Sequence, residues 1–508
     1  MGKEREKERE KEREKEREKK MFALAGLAWK NYAGELKLLI TALVLLCSLA
    51  TVLRFLPPHF LNLSVSRLRE TSLCTVPPSN NISIVSPPPP LAVVEVDGGG
   101  HAIIKRSFHP YGSAAYNFIL MSAYRGGLNT FAAIGLASKP LHVFGKPSYQ
   151  CQWIPFHSPN ATTNQQFFSS SYKVLPDWGY GRVYTVVVVN CTFPFPVGED
   201  GSGGKLLLHA STNGGGDRNF NFTDSIEVLT EAPGSLNASF YTSPPRYDYL
   251  YCGSSLYGNL SPQRIREWVA YHVMLFGERS HFVIYDAGGV HGEVMEVMKP
   301  WMEKGYVTLH DIREQERFDG YYHNQFLIVN DCLHRYRLDA KWMFFFDVDE
   351  YIFPRQNNSF GSVMDSLSEY SQFTIEQRTM SGKLCLSEDL GETFRKWGFE
   401  KLVYRDVKKG RRDRKYAVQP RSIFATGVHM SQNVDGKTTH KTEAQINYFH
   451  YHGTIAERSE PCRQFLNTTY LSLDGVPYVL DTTLRPLAAS VQRFELEMIG
   501  PSLQNTPQ

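Results

Sequence analysis

The longest apolar stretch of the chain lies near the N-terminus, at residues 36–56. Its length is close to the roughly 20 residues that a helix needs to cross a bilayer. Lys and Arg are denser before the stretch than after it, which predicts a cytosolic N-terminus and a lumenal remainder. The stretch begins late and lacks an obvious small-residue cleavage site, so a signal anchor is favoured over a cleaved signal peptide or a buried core helix. We therefore predict a type II transmembrane helix.

The segments on either side of this helix lack the pattern of a folded core. Residues 1–35 begin with a Lys-Glu-Arg-Glu tract without an apolar side chain between Met1 and Met21, which indicates a solvated helix or a disordered cytosolic tail. Residues 57–90 are polar and end in a proline run, which is typical of an extended stem. Neither segment is expected to carry chemistry.

Residues 91–241 are rich in Gly, Pro, Asn and aromatic residues and contain no long segment of helical period. One plain strand is evident at residues 182–190. An all-β sandwich is predicted here, with Cys151 and Cys191 as a plausible disulfide. Trp153 and Trp178 have the shape to stack on sugars, although core packing is the favoured role for each.

From residue 245 to about residue 495 short apolar strands alternate with amphipathic helices. Ser261 and Pro262 predict a helix start and Gly277 its end. Alternation of this kind predicts a mostly parallel, Rossmann-like α/β sheet that binds ligands at the carboxyl ends of its strands. The predicted strands are 249–252, 282–285, 307–309 and 342–346, and the helices after the first are 293–304 and 322–337.

Asp347 and Asp349 directly follow the last of these predicted strands. Two carboxylates one residue apart suit Mn²⁺ or Mg²⁺, which in turn holds the diphosphate of a nucleotide. An Asp-X-Asp triplet is expected about once by chance in such a chain, and its ordinary alternative is a turn or helix cap. The position at the carboxyl end of a buried strand favours the metal site.

Two further positions are candidates for the same site. Asp286 ends an earlier predicted strand and precedes two glycines, where backbone amides can approach a nucleotide closely, but it is equally placed to cap a strand-to-helix turn. His450 lies in a strand-like run that also contains His452. One of these histidines is able to complete a metal shell, and simple packing is the alternative.

Composition and charge narrow the class of protein. A net charge of +3 on 508 residues argues against nucleic-acid binding, and the length predicts two or three folded units. Residues 401–421 carry a local excess of Lys and Arg, which suits a diphosphate or an acidic polysaccharide, or reflects an exposed hairpin.

Cysteines and glycosylation sequons indicate a lumenal protein. Seven of the eight cysteines follow the membrane segment, so at least one is free or bonded between chains, and Cys74 in the stem is the candidate. A homodimer supported near the stem is predicted. All Asn-X-Ser/Thr sequons lie after the membrane segment, at Asn62, Asn81, Asn160, Asn190, Asn221, Asn237, Asn259, Asn357 and Asn467.

Short motifs lie at residues 251–254, 256–262, 330–333, 345–350, 415–420 and 450–451. Together they resemble those of glycosyltransferase family 92. The resemblance implies a GT-A fold and the transfer of galactose from UDP-galactose to β-1,4-galactan side chains of the pectin rhamnogalacturonan I at the Golgi membrane. It implies Asp347, Asp349 and His450 as ligands of Mn²⁺ (or Mg²⁺), and a carbohydrate-binding module in the β-rich region. The donor-binding candidates are Asp286, Gly253, Ser254 and Lys415.

An α-linked donor and a β-linked product imply inversion in a single displacement, in which a carboxylate accepts the proton of the acceptor hydroxyl. Asp389 is the favoured base and Glu388 the second choice, while helix capping near Gly391 is the alternative role. Three other functions stay open. They are a membrane-anchored glycan-binding protein with an inactive transferase-like domain, a galactosyltransferase with another acceptor, and a metal-dependent phosphodiesterase.

Overall fold

The structure is a computed structural model that describes residues 93–96, 102–105, 109–111, 118–138, 147–156, 167–174, 184–213, 221–315, 321–355, 358–408 and 413–506. These residues lie in one compact unit, Pro87–Gln508. The predicted tail, membrane helix and stem fall outside them, as do Cys74 and Trp178. Within the described ranges, no helix is long and apolar enough to cross a membrane.

An antiparallel sheet of eight strands follows the first two strands of the chain. The order across the sheet is β10-β9-β6-β7-β8-β5-β4-β3. Strands β1 and β2 belong instead to the large sheet described below, so the predicted start of the β-rich region at residue 91 is too early. The strands are β1 (Val93–Val96), β2 (Ala102–Lys105), β3 (His109–Tyr111), β4 (Phe118–Arg125), β5 (Thr130–Ser138), β6 (Pro147–Pro155), β7 (Phe167–Val174), β8 (Tyr184–Thr192), β9 (Gly204–Asn213) and β10 (Asn221–Glu231).

The core of this β-rich region is built from the inward-facing residues of its strands. Trp153 is fully buried and stacks on Phe131 with ring centroids 5.5 Å apart, so its role is core packing. The predicted disulfide between Cys151 and Cys191 is present and joins β6 to β8.

The second part of the chain alternates strands and helices at first and then becomes irregular. Ser261 accepts a hydrogen bond from the Arg264 N–H at 3.3 Å, Pro262 occupies the first turn, and Gly277 ends the helix with φ 79°, as predicted. The elements are β11 (Tyr247–Leu256), α1 (Pro262–Phe276), β12 (Ser280–Asp286), α2 (Gly292–Glu303), β13 (Val307–Asp311), α3 (Gln325–Arg335), β14 (Ala340–Phe345), β15 (Glu350–Pro354), α4 (Phe360–Ser366), β16 (Gln372–Thr379), β17 (Leu384–Leu386), α5 (Gly398–Lys401), β18 (Tyr404–Asp406), β19 (Arg414–Val418), β20 (Ile423–Ala425), β21 (Asn433–Val434), β22 (Thr438–Thr439), β23 (Ile446–His450), β24 (Gln464–Leu466), β25 (Tyr470–Leu473), β26 (Val476–Leu480) and α6 (Ala488–Ile499).

The main sheet of this part has eleven strands, of which ten run in the order β1-β2-β13-β12-β11-β14-β19-β16-β23-β15. Strands β2, β13, β12, β11 and β14 are parallel, so their carboxyl ends meet at one edge. Beyond β14 the sheet becomes mixed, because β19 returns antiparallel to β14 and β15 pairs antiparallel with β23. The later strands therefore bring residues from far along the chain to the end of β14.

A buried carboxylate on α3 joins the β-rich region to the large sheet. Asp331 accepts hydrogen bonds from the hydroxyls of Ser122 and Tyr124 on β4, at 2.7 and 2.6 Å. The Tyr285 hydroxyl on β12 donates to it at 2.8 Å, and the Arg335 guanidinium lies 3.0 Å away. A disulfide between Cys252 and Cys332 also ties α3 to β11. Helix α3 is thus fixed to both parts of the molecule.

Replacing Tyr124 by Phe is expected to lower the free energy of unfolding by about 2 kcal/mol, because a buried carboxylate then loses one donor. Denaturant titration of the variant and the wild type measures the difference. Tyr470→Phe is the control, because Tyr470 is 59% exposed. Removing its hydroxyl should change the free energy of unfolding by less than about 0.5 kcal/mol. Equal stabilities of all three proteins would contradict the stabilising role of this contact.

Candidate active site

Asp347 and Asp349 lie in the short connection between β14 and β15, at the edge where the parallel strands end. The buried residues of β14 fix the start of this connection, and the Tyr251 hydroxyl donates to the Phe346 carbonyl at 3.0 Å. The Glu350 carboxylate fixes its end by accepting the N–H of Asp347 at 2.7 Å. The sequence prediction for the position of this Asp-X-Asp triplet agrees with the structure.

A histidine from the far end of the chain reaches Asp349 through strand pairing. In the β15–β23 pair, His450 lies opposite Glu350, and its Nε2 is 3.5 Å from Oδ1 of Asp349. The other carboxylate oxygen of Asp349 accepts the N–H of Gly453 at 3.3 Å. Burial alone works to lower the pKa of His450, but the neighbouring carboxylates outweigh it and the pKa is raised.

His452 completes a group of ligand atoms, whereas the sequence prediction assigned one of the two histidines to the metal and named His450. Potential ligand atoms of Asp349, His450 and His452 all lie within 4.8 Å of one another. The signal was the spacing of the two histidines by one residue, which puts both side chains on the same side of an extended chain. One carboxylate and two imidazoles form a donor set that suits a divalent transition-metal ion.

Asp347 differs from Asp349 in having a fixed cation as its partner. Lys415 Nζ lies 2.7 Å from Oδ2 of Asp347, and the Gln325 amide donates to Oδ1 at 3.1 Å. Burial works to raise the pKa of Asp347, but the charge and hydrogen bond of Lys415 outweigh it and hold the pKa below its usual value. Burial works to lower the pKa of Lys415, but the neighbouring acidic groups, chiefly Asp347 and Glu350, outweigh it and raise this pKa. Lys415 therefore neutralises the carboxylate cluster, whereas the sequence predicted direct donor binding.

Glu350 is a site residue that sequence reasoning passed over, although it directly follows the Asp-X-Asp triplet. Its side chain is 1% exposed and lies 3.6 Å from Lys415 Nζ and 3.7 Å from His450 Nδ1. Burial raises the pKa of Glu350 to about 8, with the neighbouring aspartates adding to the effect and Lys415 opposing it. The carboxyl group thus joins the lysine and the histidine into one network.

Metal-free wild-type protein is expected to lose more stability between pH 5 and pH 8 than a Glu350→Gln variant. In the unfolded chain Glu350 ionises near pH 4.5, whereas in the folded protein it holds its proton up to about pH 8. The folded state therefore binds one proton more in this window, so stability falls as pH rises. Thermal melting in EDTA at both pH values measures the effect, and identical pH dependence in the two proteins would contradict it.

The other predicted donor-binding residues have different local roles. Asp286 accepts the N–H groups of Gly288 and Val290 at 2.8 and 3.0 Å, which is the turn-capping alternative. At Gly253 a Cβ atom would lie 2.1 Å from the Tyr251 ring, so glycine is required there for packing. Ser254 is the remaining candidate, because its hydroxyl is buried near Asp347 and makes no hydrogen bond of ordinary geometry.

Asp389, which was predicted as the catalytic base, forms ion pairs with two cationic side chains. Arg485 donates to both oxygens of Asp389 at 2.7 and 2.8 Å, and Lys396 forms a further close ion pair. Burial opposes these contacts, but they outweigh it and lower the pKa of Asp389. Asp389 is therefore a poor proton acceptor and anchors its loop. Glu388 is 68% exposed and lies 3.2 Å from Arg485.

Four cations of the basic segment at residues 401–421 form ion pairs within the protein, while residues 409–412 lie outside the described residues. Lys401 is fully buried on Glu460, Arg405 pairs with Asp481 at 2.7 Å, and Arg414 pairs with Glu443 at 3.0 Å. With Lys415 held by Asp347, these cations do not form the open anion-binding surface that the charge count suggested.

The predicted glycosylation sites divide by exposure. Asn237, Asn259 and Asn467 are exposed, so a glycan fits at each. Asn190 is 6% exposed within the central strand β8, which leaves no room for a glycan on the folded protein, and the prediction is wrong there. Asn221 begins β10, and the remaining sequons, Asn62, Asn81, Asn160 and Asn357, lie outside the described residues.

Comparison with known proteins places this site in a family. Residues 247–481 match glycosyltransferase family 92. Galactan beta-1,4-galactosyltransferase GALS3 of Arabidopsis thaliana is 58% identical, over 96% of this chain and 97% of the relative. GALS2 and GALS1 from the same plant, which carry the same enzyme name, are 55% identical over 94% of the chain and 52% identical over 79%. The resemblance inferred from the motifs is confirmed: the chain belongs to glycosyltransferase family 92.

Proposed function

We propose that the chain is a metal-dependent, inverting β-1,4-galactosyltransferase that transfers galactose from UDP-galactose to β-1,4-galactan side chains of rhamnogalacturonan I. The observation that carries the metal-dependent part is the group formed by Asp349, His450 and His452, whose ligand atoms lie within 4.8 Å of one another at the end of β14. The names of three relatives that are 52–58% identical support the donor sugar and the acceptor.

The chemistry of the donor set supports Mn²⁺ as the cofactor. Mg²⁺ prefers oxygen ligands, whereas imidazole nitrogens together with carboxylate suit a transition ion. Asp349, His450 and His452 would hold the ion, with Asp347 as the neighbouring carboxylate. When bound, the ion supplies positive charge that stabilises the departing diphosphate.

The chain's own residues keep this donor set in place. Gly453 donates its N–H to Asp349, which fixes the carboxylate beside the two histidines. Lys415 balances the charge of Asp347 and also lies 3.6 Å from the carboxyl group of Glu350, so the acidic side chains can remain close together without mutual repulsion. The buried hydroxyl of Ser254 lies beside Asp347, where we propose that it helps to bind the donor.

Inversion requires a carboxylate to accept the proton of the acceptor hydroxyl while the new bond forms. Of the two predicted bases, Glu388 is the better acceptor, because Asp389 is saturated by Arg485 and Lys396. Glu388 is therefore the proposed base of this pair.

The rest of the proposal concerns the cellular setting. Disulfides at Cys151–Cys191, Cys252–Cys332 and Cys385–Cys462 support an oxidising lumen, since such bonds persist there. We extend the proposal to a GT-A fold and a homodimeric type II Golgi membrane protein, anchored by residues 36–56, with a glycan-binding role for the β-rich region.

One assay separates the proposed function from its alternatives. Full-length protein in detergent is supplied with UDP-galactose and a β-1,4-galacto-oligosaccharide, with Mn²⁺ or with EDTA, and released UDP and product linkage are measured. Acceptor-dependent UDP release with a new β-1,4 linkage in Mn²⁺ is expected. Equal hydrolysis without acceptor would indicate a phosphodiesterase, and glycan binding without UDP release would indicate an inactive transferase-like protein. Transfer only to a different glycan would correct the acceptor.

A further inference from the structure

Gln377 contacts the edge of the His450 ring that faces away from Asp349. The Gln377 amide nitrogen lies 2.6 Å from Nδ1 of His450, while Nε2 on the other edge is 3.5 Å from Asp349. Gln377 belongs to β16, the parallel neighbour of β23, and the two strands pair Gln377 with Tyr448 and Thr379 with His450. Strand pairing thus keeps the amide beside the imidazole.

Metal binding by a histidine depends on which ring nitrogen carries the hydrogen. A neutral imidazole has one N–H and one free lone pair, and only the nitrogen with the lone pair can bind a metal. If Nε2 of His450 takes the ion, Nδ1 must carry the hydrogen and needs an acceptor. In the structure the Gln377 amide nitrogen faces Nδ1, which suits the opposite tautomer, with the hydrogen on Nε2 towards Asp349.

A glutamine amide can serve both tautomers, because a half turn of its terminal group replaces the nitrogen by the carbonyl oxygen. The nearby carboxylate is less well placed for this task. Glu350 Oε1 lies 3.7 Å from Nδ1, beyond hydrogen-bond distance, and its other oxygen accepts the N–H of Asp347. Gln377 is the group within hydrogen-bond distance of Nδ1.

We propose that Gln377 is a positioning residue that sets the tautomer of His450, donating to Nδ1 in the metal-free protein and accepting from it when an ion is bound at Nε2. This inference rests on the metal dependence of the proposed function. It assigns to Gln377 a part in metal affinity although its side chain does not touch the ion.

The test is the dissociation constant for Mn²⁺ of the full-length protein in detergent, measured from the electron paramagnetic resonance signal of free Mn²⁺ without any donor. Gln377→Leu removes the acceptor and is expected to weaken binding by about 10 to 100-fold. Gln377→Glu offers only acceptor oxygens to Nδ1–H, so it should bind Mn²⁺ as tightly as the wild type or more tightly.

Gln372→Leu is the matched control, because Gln372 is another glutamine of β16 but bonds to Ser431, at 2.7 and 3.1 Å. Its Mn²⁺ affinity should not change. If the wild type binds Mn²⁺ and Gln377→Leu binds it equally tightly, this inference alone is overturned. If the wild type does not bind Mn²⁺, the proposed metal dependence is overturned as well. If the leucine variant does not fold, a Gln377→Glu protein that binds more than about tenfold more weakly than the wild type gives the overturning result.

Discussion

Asp349→Asn is expected to lower galactosyl transfer about 1000-fold while leaving the melting temperature nearly unchanged. Asn has almost the shape of Asp, so no cavity opens, and the side-chain oxygen can still accept the N–H of Gly453. What disappears is the negative charge of the only carboxylate in the group with His450 and His452. A loss of about 4 kcal/mol of metal-mediated stabilisation of the leaving group corresponds to a roughly 1000-fold lower rate.

The measurement is initial rate at saturating Mn²⁺ together with thermal melting of the same preparations. Asp474→Asn serves as the control, because Asp474 is 82% exposed and its carboxylate makes a loose ion pair with Lys383 Nζ at 3.9 Å. The control should keep wild-type activity. An Asp349→Asn enzyme that turns over near the wild-type rate would show that Asp349 is not a metal ligand.

Lys415→Met is expected to lower the free energy of unfolding of the metal-free protein by about 3 kcal/mol at pH 8 and to abolish activity. The lysine side chain is 5% exposed and is the cation of Asp347 and Glu350. Removing one partner of a buried ion pair leaves the other charge uncompensated, which typically costs 3–5 kcal/mol. The lower end of that range applies, because a third of the Asp347 side chain, 33%, reaches solvent.

The loss of stability in Lys415→Met should be larger at pH 8 than at pH 5. Without the lysine, the pKa of Glu350 in the folded protein rises further above its unfolded value, and the pKa of Asp347 is no longer held below its usual value. At pH 5 the folded variant holds the Glu350 proton at little cost, whereas at pH 8 the unfolded chain gains by ionising and folding is disfavoured.

Denaturant titration in EDTA at the two pH values tests this prediction. Lys437→Met is the control, since Lys437 and its partner Glu369 are 70% and 59% exposed, and surface ion pairs contribute little. If Lys415→Met loses no more unfolding free energy than the control, Lys415 does not neutralise the charge of the neighbouring carboxylates.

Local sequence signals were sufficient for the alternating strands and helices from β11 to β14. The Ser261–Pro262 start and the Gly277 end of α1 are determined by backbone chemistry within one turn, so they were predictable without tertiary information. The parallel strands β11, β12, β13 and β14 were recognisable from their apolar runs. Asp347 and Asp349 could be identified as site residues because they directly follow the last of these runs. Among the strands after β14, the run around His450 was recognised as strand-like, and the others were not foreseen, because they are short and pair with partners distant in sequence.

Assignment of roles within the site required the tertiary structure. The sequence determined which carboxylates and histidines were available, and the motif pattern determined the family, since both are properties of residue types at fixed spacing. Only the fold decided that Lys415 belongs to Asp347, that Gln377 and Glu350 flank His450, and that Asp389 is held by Arg485. The physical reason is that charge, hydrogen bonding and burial act over a few ångströms, whereas the partners are 68 to 100 residues apart in the chain.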